Sequence, residues 1–262
     1  MERNIILKLE DVSYRYSDAP KDVYVFKNIN YQFEIGKMYA IKGRSGSGKT
    51  TLLSLISWLE KKYEGKIYYG EKDLSKVNLD KYRNSDIGIV FQSYNLLPHL
   101  TASENIILSM DINGLKKVKK KERALELLES VALSKKHEKR RVLRLSGGEQ
   151  QRVAIARSLS YDPKILIADE PTGNLDKETE TEILRIFSDL AHKENKCVII
   201  VTHSDNVCNH CDEVYELVPK KEKEVKENKD DKKKIVKKDE TKENEVKKDE
   251  LSKSKKSKKK GK

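Results

Sequence analysis

Residues Gly43-Arg44-Ser45-Gly46-Ser47-Gly48-Lys49-Thr50 follow the pattern G-x-x-x-x-G-K-[ST]. Glycines at this spacing let successive backbone N–H groups turn inward and approach phosphate oxygens. A helix beginning just after them adds its own N-terminal donors and partial positive charge. Lys49 then reaches the β/γ-phosphates, and the Thr50 hydroxyl is a ligand for Mg²⁺. The chemistry is capture of a nucleoside triphosphate. A second run, Ile165-Leu166-Ile167-Ala168-Asp169-Glu170, ends in two carboxylates. If it emerges beside the phosphate loop, Asp169 stands near the metal through water, and Glu170 polarises an attacking water as general base.

A third run, Leu145-Ser146-Gly147-Gly148-Glu149-Gln150-Gln151-Arg152, places a serine and two glycines before an expected helix. It reads either as an N-capped helix or as a second anion-binding helix start. One chain needs only one triphosphate cradle. A second makes sense if it closes over a nucleotide held by another copy.

The elements that must carry these residues are legible from hydropathy. Ile29, Tyr31, Phe33 and Ile35 alternate with polar residues, as in a half-buried strand. Met38 to Ile41 is a short apolar run ahead of the phosphate loop, and Leu52, Leu55, Ile56 and Leu59 share one face of the helix after it. Ile87 to Phe91, Ile165 to Ala168 and Cys197 to Val201 are compact apolar runs of the kind buried in parallel sheets. Residues 116 to 133 and 148 to 159 have helical patterns, the first with Ala124, Leu127, Leu128 and Val131 on one side. Strands alternating with helices predict an α/β fold with its ligand at the strands' carboxyl ends.

Composition narrows the class. The chain has 262 residues and a formal net charge of +12. Residues 220 to 262 hold 20 Lys against 11 acidic residues, so most of that charge lies at the end of the chain. The basic balance is therefore poor evidence that the rest binds nucleic acid. With five apolar residues (Val225, Ile235, Val236, Val246 and Leu251), this tail is expected to be disordered. Its lysine cluster from Lys253 to Lys262 is suited to an anionic membrane surface, to nonspecific RNA contact or simply to solvent. No run of eighteen apolar residues and no secretory signal pattern occurs, and three cysteines make no disulfide framework. The expectation is a soluble cytosolic protein with reduced thiols. Cys208-x-x-Cys211, with His203 and His210 nearby, is too crowded for a common zinc site and reads as packing.

Taken together, the motifs resemble those of the ATP-binding cassette (ABC) ATPases, with the likeness spanning residues 1 to 219. Leu145 to Gln150 looks like that family's signature motif. The resemblance implies that Tyr16, in Tyr14-Arg15-Tyr16, stacks on adenine. It makes Gln92 the Q-loop ligand of Mg²⁺ and water, Asn174-Leu175-Asp176 the D-loop, and His203 the switch histidine at the γ-phosphate. Catalysis would rest on Lys49, Gln92, Glu170 and His203. Nucleotide contacts would come from Tyr16, the loop Gly43, Arg44, Ser45, Gly46, Ser47, Gly48, Lys49, Thr50 and Thr51, and from Gln92, Asp169, Asp176 and, across a dimer, Ser146, Gly147, Gly148 and Glu149. Mg²⁺ would be held by Thr50 and Gln92, and by Asp169 through water. The implied fold is a P-loop (RecA-like) core with an N-terminal antiparallel β subdomain and a helical subdomain inserted at about residues 93–160.

The runs Gly88 to Gln92, Tyr94 to Pro98, Leu100 to Asn105 and Pro171 to Asp176 are similar to the lipoprotein-release, macrolide-export and peptide-antibiotic-export branch. That likeness implies an ATPase working head to tail as a homodimer on a separate membrane permease, at the inner face of the cell membrane. Leu96, Leu97, Pro98 and Leu100 would then border the permease's docking groove, or else pack in the helical subdomain. A regulatory ATPase that pulls on a membrane partner without moving substrate is the alternative. A nucleic-acid or ribosome-linked cassette fits less well, because the chain has one cassette and a short insertion.

Overall fold

The computed structural model describes residues 4–20 and 23–218. The expected disordered tail, and the membrane-surface contact expected of it, lie outside the described residues. The chain opens with β1 (Ile5–Tyr14), β2 (Phe26–Glu34) and β3 (Met38–Lys42), then α1 (Lys49–Ile56), β4 (Glu64–Tyr69) and β5 (Lys72–Asp73). A short α2 (Leu79–Lys81) leads into β6 (Ile87–Val90). Three helices follow, α3 (Ala102–Ile112), α4 (Lys120–Ser130) and α5 (Gly147–Ser158). The chain then returns through β7 (Ile165–Asp169), α6 (Lys177–His192), β8 (Cys197–Thr202), α7 (Asp205–Asn209) and β9 (Glu213–Glu216).

Two sheets result. The first is antiparallel with order β2-β1-β4-β5, and the second is parallel with order β6-β7-β8-β3-β9. All six residues of β8 are buried, as are the first four of β3 and of β7. Strands covered on both faces need no polar alternation, which is why these runs are continuously apolar. One core, including Leu7, Phe33, Tyr39 and Leu55, joins the antiparallel sheet and α1 to one side of the parallel sheet. A second core joins the helices to its other side, through Ile106, Leu128, Val153, Ala154 and Phe187.

α1 is shorter than its apolar spacing predicts. It ends at Ile56, and Trp58 takes a left-handed conformation (φ 58°) that turns its indole into the core at 6% exposure. Leu59 therefore leaves the buried face and is 53% exposed. α4 is also shorter than the patterned segment, beginning at Lys120 after a lysine-rich stretch, although Ala124, Leu127, Leu128 and Val131 are all buried as expected. Among the described residues, no helix is long and apolar enough to cross a membrane.

Candidate functional site

Four neighbouring strands of the parallel sheet deliver the site from their carboxyl ends. β3 runs into the phosphate loop, β7 into Asp169 and Glu170, β8 into Thr202 and His203, and β6 stops two residues before Gln92. Convergence at this edge is where open α/β sheets bind ligands.

The loop owes its shape to glycine at specific points. Gly46 (φ 77°) and Gly48 (φ 94°) are left-handed, and a Cβ on Gly48 would lie 2.4 Å from Val25 Cγ1. A Cβ on Gly43 would lie 2.4 Å from Ser47 Oγ. Gly48 is the N-cap of α1 and offers no side-chain cap, so the helix's first N–H groups keep their donors for an anion. Lys49 is almost fully buried, with Nζ donating to Gly43 O at 2.7 Å and Arg44 O at 3.1 Å. It also lies 3.8 Å from Glu170 Oε1. The Ser47 hydroxyl is buried without a hydrogen-bond partner. A buried cation, an unpartnered hydroxyl and an uncapped helix start together fit a phosphate.

The acidic pair divides its roles by environment. Asp169 Oδ2 accepts the Thr50 hydroxyl at 3.1 Å. Burial pushes the Asp169 carboxyl above its usual range; the Thr50 bond and Lys49 oppose this, while Glu170 adds to it. Two hard oxygens side by side on a half-buried acid suit Mg²⁺. Glu170 sits just past the strand at φ 45°. Its Oε2 accepts the Thr202 hydroxyl at 3.2 Å, and His203 Nδ1 lies 2.8 Å from its Oε1. His203 itself is largely exposed. Gln92 approaches the same corner: a Cβ on Gly173 would lie 3.3 Å from its Nε2.

Tyr16 and Tyr14 separate clearly. Tyr14 is buried and stacks edge-on against Tyr16, with ring centroids 5.3 Å apart. Tyr16 is half exposed, and its hydroxyl lies 3.1 Å from Thr51 Oγ1. Tyr16 is thus the more exposed of the two rings and lies beside the phosphate loop's helix.

Ser146 caps α5. Its Oγ accepts from Glu149 N at 3.2 Å, and Glu149 Oε2 accepts from Ser146 N at 2.8 Å, a reciprocal capping box. Burial works to raise the Glu149 carboxyl, but the Ser146 N–H, His137 and Arg140 hold it below its usual range. His137 Nε2 lies 3.1 Å from Glu149 Oε1. A Cβ on Gly148 would meet Thr179 Cγ2 at 2.4 Å, and one on Gly147 would meet Tyr94 Oη at 3.2 Å. Around the phosphate loop lie Val25, Thr202 and the acidic pair; around the Ser146 turn lie Tyr94, His137, Leu175 and Thr179. Asp176, expected at the nucleotide, is the N-cap of α6 and accepts from Glu178 N, Thr179 N and Thr179 Oγ1.

Leu97 is exposed, while Leu96 and Leu100 are partly covered. Cys208 is buried, Cys211 donates to Val207 O at 3.3 Å, and burial pushes the Cys211 thiol up to about 12. Such thiols stay protonated and pack. Sequence patterns missed His137 and Thr202, because each acts through a contact that no local spacing encodes.

The fold and the strand-end site define a P-loop nucleoside triphosphatase. Residues 26–173 match the family model described as ABC transporter. YclH of Bacillus subtilis, an uncharacterized ABC transporter ATP-binding protein, is 47% identical over 207 residues, covering 79% of this chain and 91% of that protein. The lipoprotein-releasing system ATP-binding protein LolD of Saccharophagus degradans is 40% identical, covering 81% and 94%. The dimeric structure of MJ0796, a bacterial ABC transporter cassette, superposes with a TM-score of 0.72 at 37% identity, covering 80% of this chain and 94% of that one. A post-hydrolysis state of the same cassette with ADP and Pi gives the same score. This chain belongs to the ABC transporter ATP-binding family, and it is an ATPase of that family.

Proposed function

We propose that this chain powers a separate membrane permease by pairing with a second copy around two ATP molecules, and that it sits at the inner face of the membrane through that permease. What supports the reading is a pair of glycine-bearing helix starts with separate surroundings, the uncapped phosphate loop on α1 and the Ser146-capped turn on α5, the second of which would meet the other copy's nucleotide. Each loop would face the other copy's turn. The likeness to a dimeric transporter cassette and to a lipoprotein-releasing subunit supports this, and favours transport over a purely regulatory pull.

Binding would draw Lys49 Nζ from the Gly43 and Arg44 carbonyls to the β/γ-phosphates. Glu170, held by Thr202 and His203, is oriented as the base for the attacking water. Tyr16 receives the adenine. Mg²⁺, held by Thr50, by Gln92 and by Asp169 through water, would supply charge neutralisation across the phosphates. Nucleotide then favours the closed pair, and hydrolysis releases it.

The test is Glu170→Gln. It should keep ATP binding, lower turnover about a hundredfold or more, and elute as a dimer only with ATP. Wild-type copies purified in mild detergent should bring a permease with them. Near-normal turnover, or a monomer in saturating ATP, would remove the reading.

A further inference from the structure

Residues 135–144 carry six Lys or Arg and a single acidic residue, Glu138. Residues 1–219 as a whole hold 35 basic against 32 acidic residues, so this short stretch is a concentrated positive patch on a nearly neutral cassette. Lys135, Lys136, Lys139, Arg140, Arg141 and Arg144 are all exposed. Among the described residues, Arg140 is the one of the six in an ion pair, with Glu149 at 3.6 Å. Glu104, which Arg141 attracts from a distance, is itself held by the Thr101 N–H at 2.8 Å. Most of this charge is therefore uncompensated by the cassette.

The fold gives the patch an apolar tip. Val142 N donates to Leu100 O at 3.2 Å, Ala102 N donates to Arg140 O at 3.0 Å, and Thr101 pairs with Arg141 in an antiparallel bridge. Residues 138–142 are thereby laid along the start of α3. Val142 and Leu145 turn into the core, while the short turn between them throws Leu143 out to 71% exposure, with Arg141 and Arg144 to either side. Leu97, 47% exposed, protrudes one turn before Leu100. A single exposed leucine is ordinary. Two on adjacent segments, ringed by unpaired cations, have the composition of a surface that lies on a bilayer: the cations meet lipid phosphates and the apolar tips enter the acyl boundary. RNA is gripped by stacking on aromatic rings as well as by charge, and residues 134–145 contain no Phe, Tyr or Trp.

We propose that this basic face, with Leu143 at its tip, is a docking surface for anionic phospholipid headgroups. Lys139, Arg141 and Arg144 lie at the phosphates, Leu143 enters the bilayer's edge, and helices α3 to α5 are held close to the membrane. The inference rests on the placement at the inner face of the membrane proposed above. A second basic stretch, Lys116 to Lys121 beside the exposed Ile112, lies at the other end of α3, about 15 Å away. A general attraction of cations to lipid would engage both ends equally, so Ile112 is the internal comparison.

The experiment uses the full chain carrying Leu143→Trp, mixed with phosphatidylcholine vesicles with or without phosphatidylglycerol. Wild type is the blank for the buried Trp58. The new indole's emission should shift to the blue, and spin-labelled lipid should quench it, with anionic vesicles only. Adding Lys139→Gln, Arg141→Gln and Arg144→Gln should raise the vesicle concentration for half the shift about a hundredfold. Residues 220–262 are the same in every variant, so that loss belongs to the patch. ADP binding by calorimetry shows that each variant folds, and Leu97→Trp takes over if Leu143→Trp does not. An indole that stays solvent-like on anionic vesicles, responds equally to neutral ones, or ignores the charge removal overturns the proposal. So does a response to polyuridylate in place of vesicles, or one from Ile112→Trp as strong as from Leu143→Trp. A chain that brings down its permease yet gives no vesicle response loses the lipid surface alone. One that responds to vesicles but brings down no membrane protein loses the permease reading.

Discussion

Asp169 is held in a compromise: burial raises its carboxyl, the Thr50 hydroxyl and Lys49 pull it down, and Glu170 pushes it up again. The net shift is upward, so the folded chain holds this proton to higher pH than the unfolded chain does. Ionised Asp169 consequently costs stability, fully so above the folded pKa and not at all below the unfolded value near ~4. Asp169→Asn should raise the melting temperature of the nucleotide-free protein at neutral pH. That gain should fade as pH falls through the folded pKa toward the unfolded one, while Mg²⁺-dependent hydrolysis is lost. Melting curves across that window check it; a gain that persists at low pH would mean that the carboxylate is not the cause. At this scale the motif residues were legible because their chemistry is written in short spacings, as with Lys49, Thr50 and Glu170. Thr202 and His137 were not. Their partners Glu170 and Glu149 lie 32 and 12 residues away, and only the fold brings them within reach.

An element behaves as its ends and its burial allow. α5 is buried on most sides, with Val153, Ala154, Ile155 and Ala156 all covered, so its stability comes from packing more than from a single apolar stripe. Its start depends on the Ser146–Glu149 capping box. Ser146→Ala removes the acceptor for Glu149 N and should cost about 1 kcal/mol, or roughly 2–4 °C for a chain of this size. If Ser146 also meets a partner's nucleotide, turnover should drop well beyond what that loss of folded protein explains. Equal losses in stability and turnover would reduce Ser146 to a cap. β3, β6, β7 and β8 of the parallel sheet were legible because burial leaves an unbroken apolar signature, whereas β9, a partly exposed edge strand, was not. Where α1 stops was not, because periodicity continues through Leu59 while the left-handed Trp58 ends the helix. That turn is decided by where the indole finds cover, a tertiary matter.

At the level of the whole molecule, folding and ligand binding are linked through the same strand ends. A nucleotide bound only by the folded chain adds about 2.7 kcal/mol at a hundredfold excess over Kd, which corresponds to roughly 5–10 °C here. Pairing adds a second dependence, because a closed dimer is favoured by more protein as well as by more ATP. The Glu170→Gln chain, in which turnover does not drain the complex, separates the two. Its melting temperature with Mg²⁺ and ATP should climb with protein concentration, whereas without nucleotide it should stay level. Lys49→Ala should abolish the nucleotide-dependent rise. Only the rise is informative in that variant, because Lys49 also ties down the Gly43 and Arg44 carbonyls and its loss alters the starting stability. A rise that survives in Lys49→Ala would take the phosphate cradle away from this loop. A rise that ignores protein concentration would leave each ATP enclosed by a single chain, with the Ser146 turn free of any nucleotide.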